Sequence, residues 1–193
     1  MRVIAGEFRG RRLVSPRGAS IRPTADRVRE AIFNIISMHL VGARVLDLYA
    51  GTGALGLEAL SRGAARAVFV DQSAAAVRLI HENIRLCRVQ DRTRVIQQPT
   101  SQALKILATG RGEPEWFDVI FLDPPYGKGL IHAVLVELAE LRIVAPDCLA
   151  IAEHHDSESL PMTGGGWMKF RERKYGDTVV SLLTNAAENE PWG

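Results

Sequence analysis

Residues 46–56 read Leu46-Asp-Leu-Tyr-Ala-Gly-Thr-Gly-Ala-Leu-Gly56 and join an apolar strand pattern to a helical one. Gly51, Gly53 and Gly56 satisfy the G-x-G-x-x-G pattern, in which a tight glycine turn lets the backbone approach a bound nucleotide. Asp71 follows Gly51 by 20 residues, at the end of the next predicted strand, where an acidic side chain would meet ribose hydroxyl groups. The segment therefore predicts an α/β fold that binds adenosine.

Strand and helix patterns alternate on the C-terminal side of this turn. Predicted strands cover residues 45–48, 67–70, 94–97, 117–122 and 148–153, and predicted helices cover residues 54–61, 73–87, 101–108 and 130–141. Two more strand patterns, 168–175 and 178–183, flank Gly176-Asp177 and predict an antiparallel pair. We therefore predict a Rossmann-like, doubly wound, mostly parallel seven-stranded sheet that closes with a C-terminal antiparallel hairpin.

The N-terminal part of the chain differs from the rest in composition. Residues 2–5 and 11–14 read as two short strands around Gly6 and Gly10, which predicts a small β-hairpin outside the main sheet. A connector rich in Pro, Gly, Ser and Arg then leads to a helical pattern that starts at Thr24. The predicted parts of the chain are a basic hairpin or arm over residues 1–22, an α/β domain over residues 23–185 and a frayed tail over residues 186–193.

Composition indicates a globular protein of one main domain. The chain has 193 residues, of which 47% are hydrophobic and 24% charged, with a net charge of +2. No apolar run reaches the roughly 18 residues that a membrane span requires, so we expect no membrane partner. Cys87 and Cys148 form no motif, which favours a reducing compartment and predicts a cytoplasmic protein. The sequence contains no heptad pattern, so we predict a monomer.

A second informative segment, Asp123-Pro124-Pro125-Tyr126, follows the apolar residues 119–122. The carboxyl ends of strands in open α/β sheets are where ligands bind. Asp123 and the carbonyl of Pro124 can each accept a hydrogen bond from a planar amine, and paired prolines stiffen the loop that carries them. Tyr126 offers a flat face on which a base can stack. A strand-terminating turn would explain the prolines equally well, but the combination also fits group transfer to the exocyclic nitrogen of a nucleobase.

Asp47 helps to choose between the two ligands that contain adenosine. It lies at the end of the predicted strand 45–48, four residues before Gly51. A negative charge there would repel the pyrophosphate of a dinucleotide, whereas it would attract the ammonium group of S-adenosylmethionine. A nicotinamide-dependent oxidoreductase therefore fits less well, and it leaves Asp123-Pro124-Pro125-Tyr126 without a role.

Positive charge is concentrated in the first 29 residues, which contain eight arginines against only Glu7 and Asp26. The planar guanidinium group suits phosphate oxygens and stacks on bases. A basic run is often only a solvated surface. Next to a candidate site for a base, however, it favours nucleic-acid binding.

Several segments of the chain resemble those of a known family. Residues 47–64 read Asp-Leu-Tyr-Ala-Gly-Thr-Gly-Ala-Leu-Gly-Leu-Glu-Ala-Leu-Ser-Arg-Gly-Ala. Together with residues 123–126 they are similar to class I S-adenosylmethionine-dependent methyltransferases. Residues 22–34, Arg-Pro-Thr-Ala-Asp-Arg-Val-Arg-Glu-Ala-Ile-Phe-Asn, and the opening segments 2–6 and 9–13 are more specific. They resemble the bacterial 16S ribosomal RNA guanine-N2 methyltransferases over nearly the whole chain.

The resemblance implies a set of site residues. Asp123, the Pro124 carbonyl and Tyr126 would hold the target base. S-adenosylmethionine would be bound by Asp47, Tyr49, Ala50, Gly51, Thr52, Gly53, Asp71 and Gln72. The family often has a polar or acidic residue near adenine after the third strand, where this chain has Gln97-Gln98-Pro99-Thr100, so the candidates are Gln98 and a backbone group of this stretch. Contacts to 16S ribosomal RNA, expected within a small-subunit particle, would come from Arg2, Arg9, Arg11, Arg12, Arg22, Arg27 and Arg29.

The predicted reaction transfers the sulfonium methyl group to guanine N2 by in-line displacement and requires no metal. Asp123 would orient the amine and stabilise the positive charge that develops on nitrogen. The same four residues permit methylation of adenine N6 in DNA or RNA, or of a protein glutamine amide. A protein of this fold that binds RNA without catalysis is a further alternative.

Overall fold

The computed structural model describes residues 1–16, 23–110 and 116–185. Arg22 and the predicted tail over residues 186–193 therefore lie outside the described residues. The strands are β1 Arg44–Leu48, β2 Arg66–Val70, β3 Thr93–Ile96, β4 Phe117–Leu122, β5 Val144–His155, β6 Thr163–Gly164, β7 Trp167–Tyr175 and β8 Thr178–Thr184. The α-helices are α1 Pro23–Ile35, α2 Ala54–Ser61, α3 Ala74–Cys87, α4 Thr100–Ala108 and α5 Leu130–Leu141, and short 3₁₀ helices cover Ser37–His39 and Gln90–Arg92.

The strands form one mixed sheet in the order β3-β2-β1-β4-β5-β8-β7-β6. Strands β1 to β5 are parallel, and β8, β7 and β6 are added antiparallel. This confirms the doubly wound sheet with C-terminal antiparallel strands. Beyond the seven predicted strands, the two-residue β6 adds a short eighth strand at the edge.

Alternation along the central strands builds a hydrophobic core on each face of the sheet. Val45, Phe69 and Phe121 point toward α1, α2 and α3, whereas Leu46 and Ile120 point toward α4 and α5. Because both faces are covered, these strands are apolar at nearly every position rather than at every second one. The strand patterns were therefore readable from sequence.

The predicted N-terminal hairpin is not seen as two regular strands, although Val3 N donates to the Arg11 carbonyl at 3.0 Å and Leu13 N donates to the Met1 carbonyl at 3.1 Å. Within residues 1–16 the only bridge between strand-like segments joins Arg2 and Arg12. The backbone N–H groups of Ile4 and Ala5 donate instead to the carboxylate of Glu58 in α2, at 2.7 and 3.0 Å. A hairpin ladder does not extend because these donors are used by a helix side chain. Glu58 is buried and also accepts from Arg62 Nε at 2.8 Å, so the carboxylate is fully engaged.

The N-terminal segment, residues 1–14, is consequently part of the fold. Val3, Phe8 and Leu13 are buried in the core on the α1–α3 face. Phe8 N donates to Ser61 Oγ at 2.9 Å, and Glu7 N donates to the Ser61 carbonyl at 2.8 Å. The segment is therefore held against α2 by apolar burial and by a row of hydrogen bonds.

Gly56 is the glycine whose replacement the packing opposes most clearly near the turn. A Cβ at this position would lie 2.4 Å from Phe69 Cε1 and 3.1 Å from Asp47 Oδ2. Phe69 is fully buried, so its ring has no open space into which to move.

We expect Gly56→Ala to lower the free energy of unfolding by about 1–2 kcal/mol, because overpacking costs about 1–3 kcal/mol and the better helix propensity of alanine offsets up to about 1 kcal/mol. Urea denaturation measures the change. Gly110→Ala is the matched control, since the nearest atom to its Cβ would be the Leu107 carbonyl oxygen at 3.5 Å. Equal stability of Gly56→Ala and wild type would show that α2 shifts away from the sheet at little cost.

Candidate active site

The glycine turn between β1 and α2 is held in an unusual backbone conformation. Tyr49 and Gly51 have φ angles of 60° and 57°, and Gly53, the N-cap of α2, has a φ of 75°. Left-handed backbone is disfavoured for a residue with a bulky side chain, so the conformation of Tyr49 must be held by its surroundings. It turns the chain sharply at the carboxyl edge of the sheet, which is the edge where β1, β2, β4 and β5 end.

Asp71, at the end of β2, is locked to this turn. Its Oδ2 accepts a hydrogen bond from Gly51 N at 2.9 Å, and its Oδ1 accepts one from Ser73 N at 2.8 Å. Ser73 in turn caps α3. The predicted pair of Gly51 and Asp71 is thus brought together, although 20 residues separate them in sequence.

Two adjoining cavities open at this edge. The first, the Asp71 cavity, has a volume of about 380 Å³ and is lined by Tyr49, Asp71, Gln72, Asp123, Pro124, Pro125 and Tyr126. The second, the Asp47 cavity, has a volume of about 490 Å³ and shares Tyr49, Asp123 and Tyr126 with the first. The side chains predicted to bind the target amine therefore lie where the two cavities meet.

The wall of the Asp47 cavity comes from several distant parts of the chain. Asp47, Ala50, Gly51 and Thr52 line it from the turn, and Met1 and Arg29 line it from the N-terminal segment and α1. Glu153 and the β7–β8 turn, Gly176-Asp177, complete it. Most residues predicted to bind the cofactor therefore surround one continuous cleft. Gly53 packs against the core side of the turn. A Cβ at this position would lie 3.2 Å from the ring of Phe69.

Asp47 is a buried acid with little to stabilise its charge. Its side chain is 2% exposed, and Oδ2 accepts one hydrogen bond from Gly56 N at 2.9 Å. Burial raises the pKa of Asp47 to about 8; the Gly56 hydrogen bond opposes the shift, and the negative charges of Asp123 and Asp71 add to it. A cationic group of a bound ligand would supply the counter-charge that the ionised Asp47 carboxylate lacks.

Asp123 and Glu153 form an acidic pair that sequence reasoning did not identify. Glu153 lies at the carboxyl end of β5, the strand next to β4, and an acid at that point in the sequence was the available signal. Burial raises the pKa of Asp123 above its ordinary range, and the charge of Glu153 raises it further. Because the Asp123 side chain is open to the cleft, screening by solvent makes this upward shift of its pKa smaller. The neighbour nevertheless makes Asp123 a stronger proton acceptor.

Tyr126 stands at the mouth of the cleft. It is 44% exposed, and its hydroxyl donates to Glu153 Oε1 at 3.1 Å. Its ring centroid lies 5.9 Å from that of His155, with the planes inclined at 56°. Glu153 and His155 therefore fix the orientation of the ring, while part of the ring stays open to a partner.

The remaining predicted residues are placed differently. Gln98 is half-buried just after β3 and lines neither cavity. Arg2, Arg9, Arg12 and Arg27 are exposed, and the side chain of Arg11 donates to the Leu86 carbonyl at 2.5 Å. Arg29 stands apart from the other arginines, because it is only 6% exposed and donates to the Arg2 carbonyl at 2.5 Å.

The raised pKa of Asp47 generates a stability prediction. Folded protein holds this proton up to a pH of about 8, whereas the unfolded carboxyl releases it near pH 3.8, so stability falls as pH rises between these values. Asp47→Asn keeps an acceptor for Gly56 N and removes the charge. We expect the free energy of unfolding of the variant to exceed that of wild type, by an amount that grows from pH 5 to pH 8.

Urea denaturation at both pH values measures this difference, and Asp91→Asn, at an exposed position, is the control. A constant difference between wild type and Asp47→Asn at pH 5 and pH 8 would show that Asp47 ionises as easily in the folded as in the unfolded chain.

Comparisons with known proteins agree with this arrangement. The family model described as "Conserved hypothetical protein 95" matches residues 1–184. YlbH of Bacillus subtilis (strain 168) is 38% identical over 182 residues, covering 94% of this chain and 97% of the relative. "Ribosomal RNA small subunit methyltransferase D" of Escherichia coli (strain K12) is 35% identical over 190 residues, covering 98% of this chain and 92% of the relative.

The solved structures include one of yhhF from Escherichia coli. It superimposes with a TM-score of 0.83 and 32% identity, covering 97% of this chain and 99% of that chain. Sequence and structure thus match over nearly the full length of both proteins, glycine turn and N-terminal segment included. The chain belongs to the Conserved hypothetical protein 95 family of S-adenosylmethionine-dependent methyltransferases.

Proposed function

We propose that this protein transfers a methyl group from S-adenosylmethionine to the exocyclic N2 of a guanine in 16S ribosomal RNA of the small subunit. The observation that carries the proposal is the position of Asp123 and Tyr126 where the two cavities meet, with Pro124 beside them in the wall of the Asp71 cavity. An amine held there would face a cofactor bound across the glycine turn. The 35% identical relative of Escherichia coli is named as a ribosomal RNA small subunit methyltransferase, which supports the choice of substrate.

The cofactor is assigned to the two cavities by charge. Asp71 and Gln72 would bind the ribose in the Asp71 cavity, with the adenine beyond them toward Gln98. Tyr49, Thr52 and the backbone from Ala50 to Gly53 would contact the cofactor along the turn. Asp47 would bind the ammonium group, and the arrival of that cation would lower its pKa and ionise it.

Arg29 suits the carboxylate of the same methionine group better than RNA. It is buried and lines the Asp47 cavity together with Asp47, so a cation and an anion border the same space. An amino acid zwitterion needs one partner of each sign. We therefore assign Arg29 to the cofactor and leave RNA contacts to the exposed arginines.

Bound S-adenosylmethionine supplies an electrophilic methyl group on its sulfonium. The lone pair of a guanine amine is delocalised into the ring, so the amine is a poor nucleophile. Asp123 and the Pro124 carbonyl would accept hydrogen bonds from the two N–H groups of the amine. These contacts would orient the nitrogen toward the methyl group and stabilise the positive charge that develops on it. Asp123 then takes up the proton that the methylated nitrogen releases, and Glu153 favours this step by raising the pKa of Asp123.

The target base must leave any helix in which it lies, and stacking on Tyr126 would help to offset the cost of unstacking it. Arg2, Arg9, Arg11, Arg12, Arg22 and Arg27 would contact phosphates around the cleft. A small-subunit particle in the cytoplasm would present such a base to a monomeric enzyme. No helix within the described residues has the length and apolar character needed to cross a membrane.

Methyl transfer from tritiated S-adenosylmethionine tests the proposal, with 16S RNA, small-subunit particles and duplex DNA as substrates. We expect N2-methylguanosine from RNA or particles, identified by mass spectrometry of nucleosides. Asp123→Asn should lower kcat by about 100-fold or more, because it removes charge stabilisation at the amine. Asp147→Asn, at an exposed position outside the cavities, is the control and should leave kcat unchanged.

If the product is N6-methyladenine, the mechanism stands as proposed and the target base is adenine instead of guanine. Cofactor binding without transfer to any of the three substrates would contradict the proposed reaction.

The dependence of activity on pH follows from the acidic pair. Asp123 must be ionised to accept the proton, so kcat/KM rises as pH increases through its pKa. Glu153→Gln removes the negative charge that helps to raise this pKa, and its amide can still accept from Tyr126. We expect the acidic limb of the pH profile to move to lower pH.

Glu140→Gln, at an exposed position on α5, is the control and should leave the limb in place. If Glu153→Gln also leaves it in place, the limb belongs to a group other than Asp123.

A further inference from the structure

A larger cavity lies at the opposite edge of the sheet, where the parallel strands begin. Its volume is about 620 Å³, and its lining includes Arg44, Arg66, Arg92 and Arg94. We call it the amino-edge cavity. Strand β4 has six residues, which at about 3.3 Å per residue separates this cavity from Asp123 by roughly 20 Å. It therefore belongs to neither of the cavities of the candidate active site.

The arginines of this cavity are placed side by side by the sheet itself. Arg44 and Arg66 are the first residues of β1 and β2 and are direct partners in the parallel register. Both are exposed, and among the ion pairs within residues 1–16, 23–110 and 116–185 none includes either of them. Like charges directly opposite one another on neighbouring strands destabilise a sheet. A ligand that carries negative charge would remove this cost.

Within residues 1–16, 23–110 and 116–185, few acidic groups lie near these arginines. Asp91 is the one acidic residue among those that line the cavity within the described chain. Asp118 accepts from the backbone N–H of Arg44 at 2.7 Å. Glu7 pairs with Arg92 at 3.1 Å. Arg44 and Arg66, which belong to none of the ion pairs within the described residues, therefore make the site complementary to an anion.

The positively charged surface extends beyond the cavity, from Arg92 to the N-terminal segment. Arg92 lies over one part of the Phe8 ring, 5.6 Å from its centroid, and Arg11 lies 5.7 Å from the same centroid. Arg9 and Arg12, which flank Arg11, are exposed. The positive surface is therefore longer than a single anion requires, which favours a polymer with regularly spaced charges over a small phosphate compound.

We propose that the amino-edge cavity binds backbone phosphates of the substrate RNA, at a part of the RNA distant from the modified base. The proposal rests on the proposed function for the identity of the polyanion. Arginine forks bind phosphate oxygens in pairs, and these contacts position RNA without reading its sequence. Because the cavity is roughly 20 Å from Asp123, a substrate must be large enough to reach both edges, and a short hairpin around the target base is not.

The test compares two double variants with the same change in charge. Arg44→Gln/Arg66→Gln alters the amino-edge cavity, and Arg171→Gln/Arg173→Gln alters β7, four strands away in the sheet order. Each phosphate contact that is lost lowers the slope of log K against log salt by about 0.7–0.9, so two contacts lower it by about 1.5. If the variant and the wild type bind 16S RNA equally at 1 M salt, this smaller slope means that the variant binds about 30-fold more weakly than the wild type at 0.1 M salt.

We expect this loss for Arg44→Gln/Arg66→Gln only, with unchanged affinity for S-adenosylmethionine as evidence that the variant is folded. Equal effects of the two double variants on RNA binding would overturn the proposal. Modification of wild-type protein with phenylglyoxal, read by mass spectrometry, gives an answer that needs no variant. RNA should protect Arg44 and Arg66, and continued modification of both in the complex would also overturn the proposal.

The failure of this proposal and that of the proposed function are distinguishable. Wild-type protein that binds 16S RNA but transfers no methyl group contradicts the proposed reaction, while protection of Arg44 and Arg66 still supports the phosphate site. Conversely, normal formation of N2-methylguanosine together with unprotected Arg44 and Arg66 contradicts the phosphate site alone.

Discussion

The cleft depends on the contact between the carboxylate of Asp47 and the first turn of α2. Asp47 Oδ2 accepts from Gly56 N at 2.9 Å, and a Cβ on residue 56 would crowd this oxygen at 3.1 Å. This contact joins the end of β1, the glycine turn and α2 into one rigid corner. It also leaves a buried carboxyl group close to Asp71 and Asp123, and the ionisation of that group is costly until a cation binds. The sulfonium and ammonium groups of S-adenosylmethionine are cations, so the site is electrostatically prepared for them.

The N-terminal segment couples this corner to the outer surface. Glu58 and Ser61 of α2 accept hydrogen bonds from the backbone N–H groups of Ile4, Ala5 and Phe8, and so hold the segment against the helix. As a result Met1 reaches the cleft, where Thr52 Oγ1 donates to its sulfur at 3.7 Å. The Arg2 carbonyl accepts from Arg29, a residue that lines the same cleft. Basic residues on the outside of this segment are therefore fixed relative to the cofactor site.

Charge is divided between the two edges of the sheet. Asp47, Asp71, Asp123 and Glu153 lie at the carboxyl edge, whereas Arg44, Arg66, Arg92 and Arg94 lie at the amino edge. Carboxylates repel phosphates, so a nucleic acid would be held by its backbone at the arginines and would enter the acidic cleft by a base alone. This division would explain how a site rich in negative charge serves a substrate that is itself a polyanion.

The sequence alone determined the sheet, the glycine turn, Asp71 and the Asp123-Pro124-Pro125-Tyr126 segment, because strand periodicity, turn chemistry and short-range spacing are local properties of the chain. The packing of segments distant in sequence decided the rest. It limited the pairing of the two N-terminal segments to one bridge and bonded them to Glu58, buried Arg29 in the cleft, placed Glu153 beside Asp123 and aligned Arg44 with Arg66. Each of these pairs is formed only when the core closes and brings strands and helices into register, and no local pattern encodes such a distance.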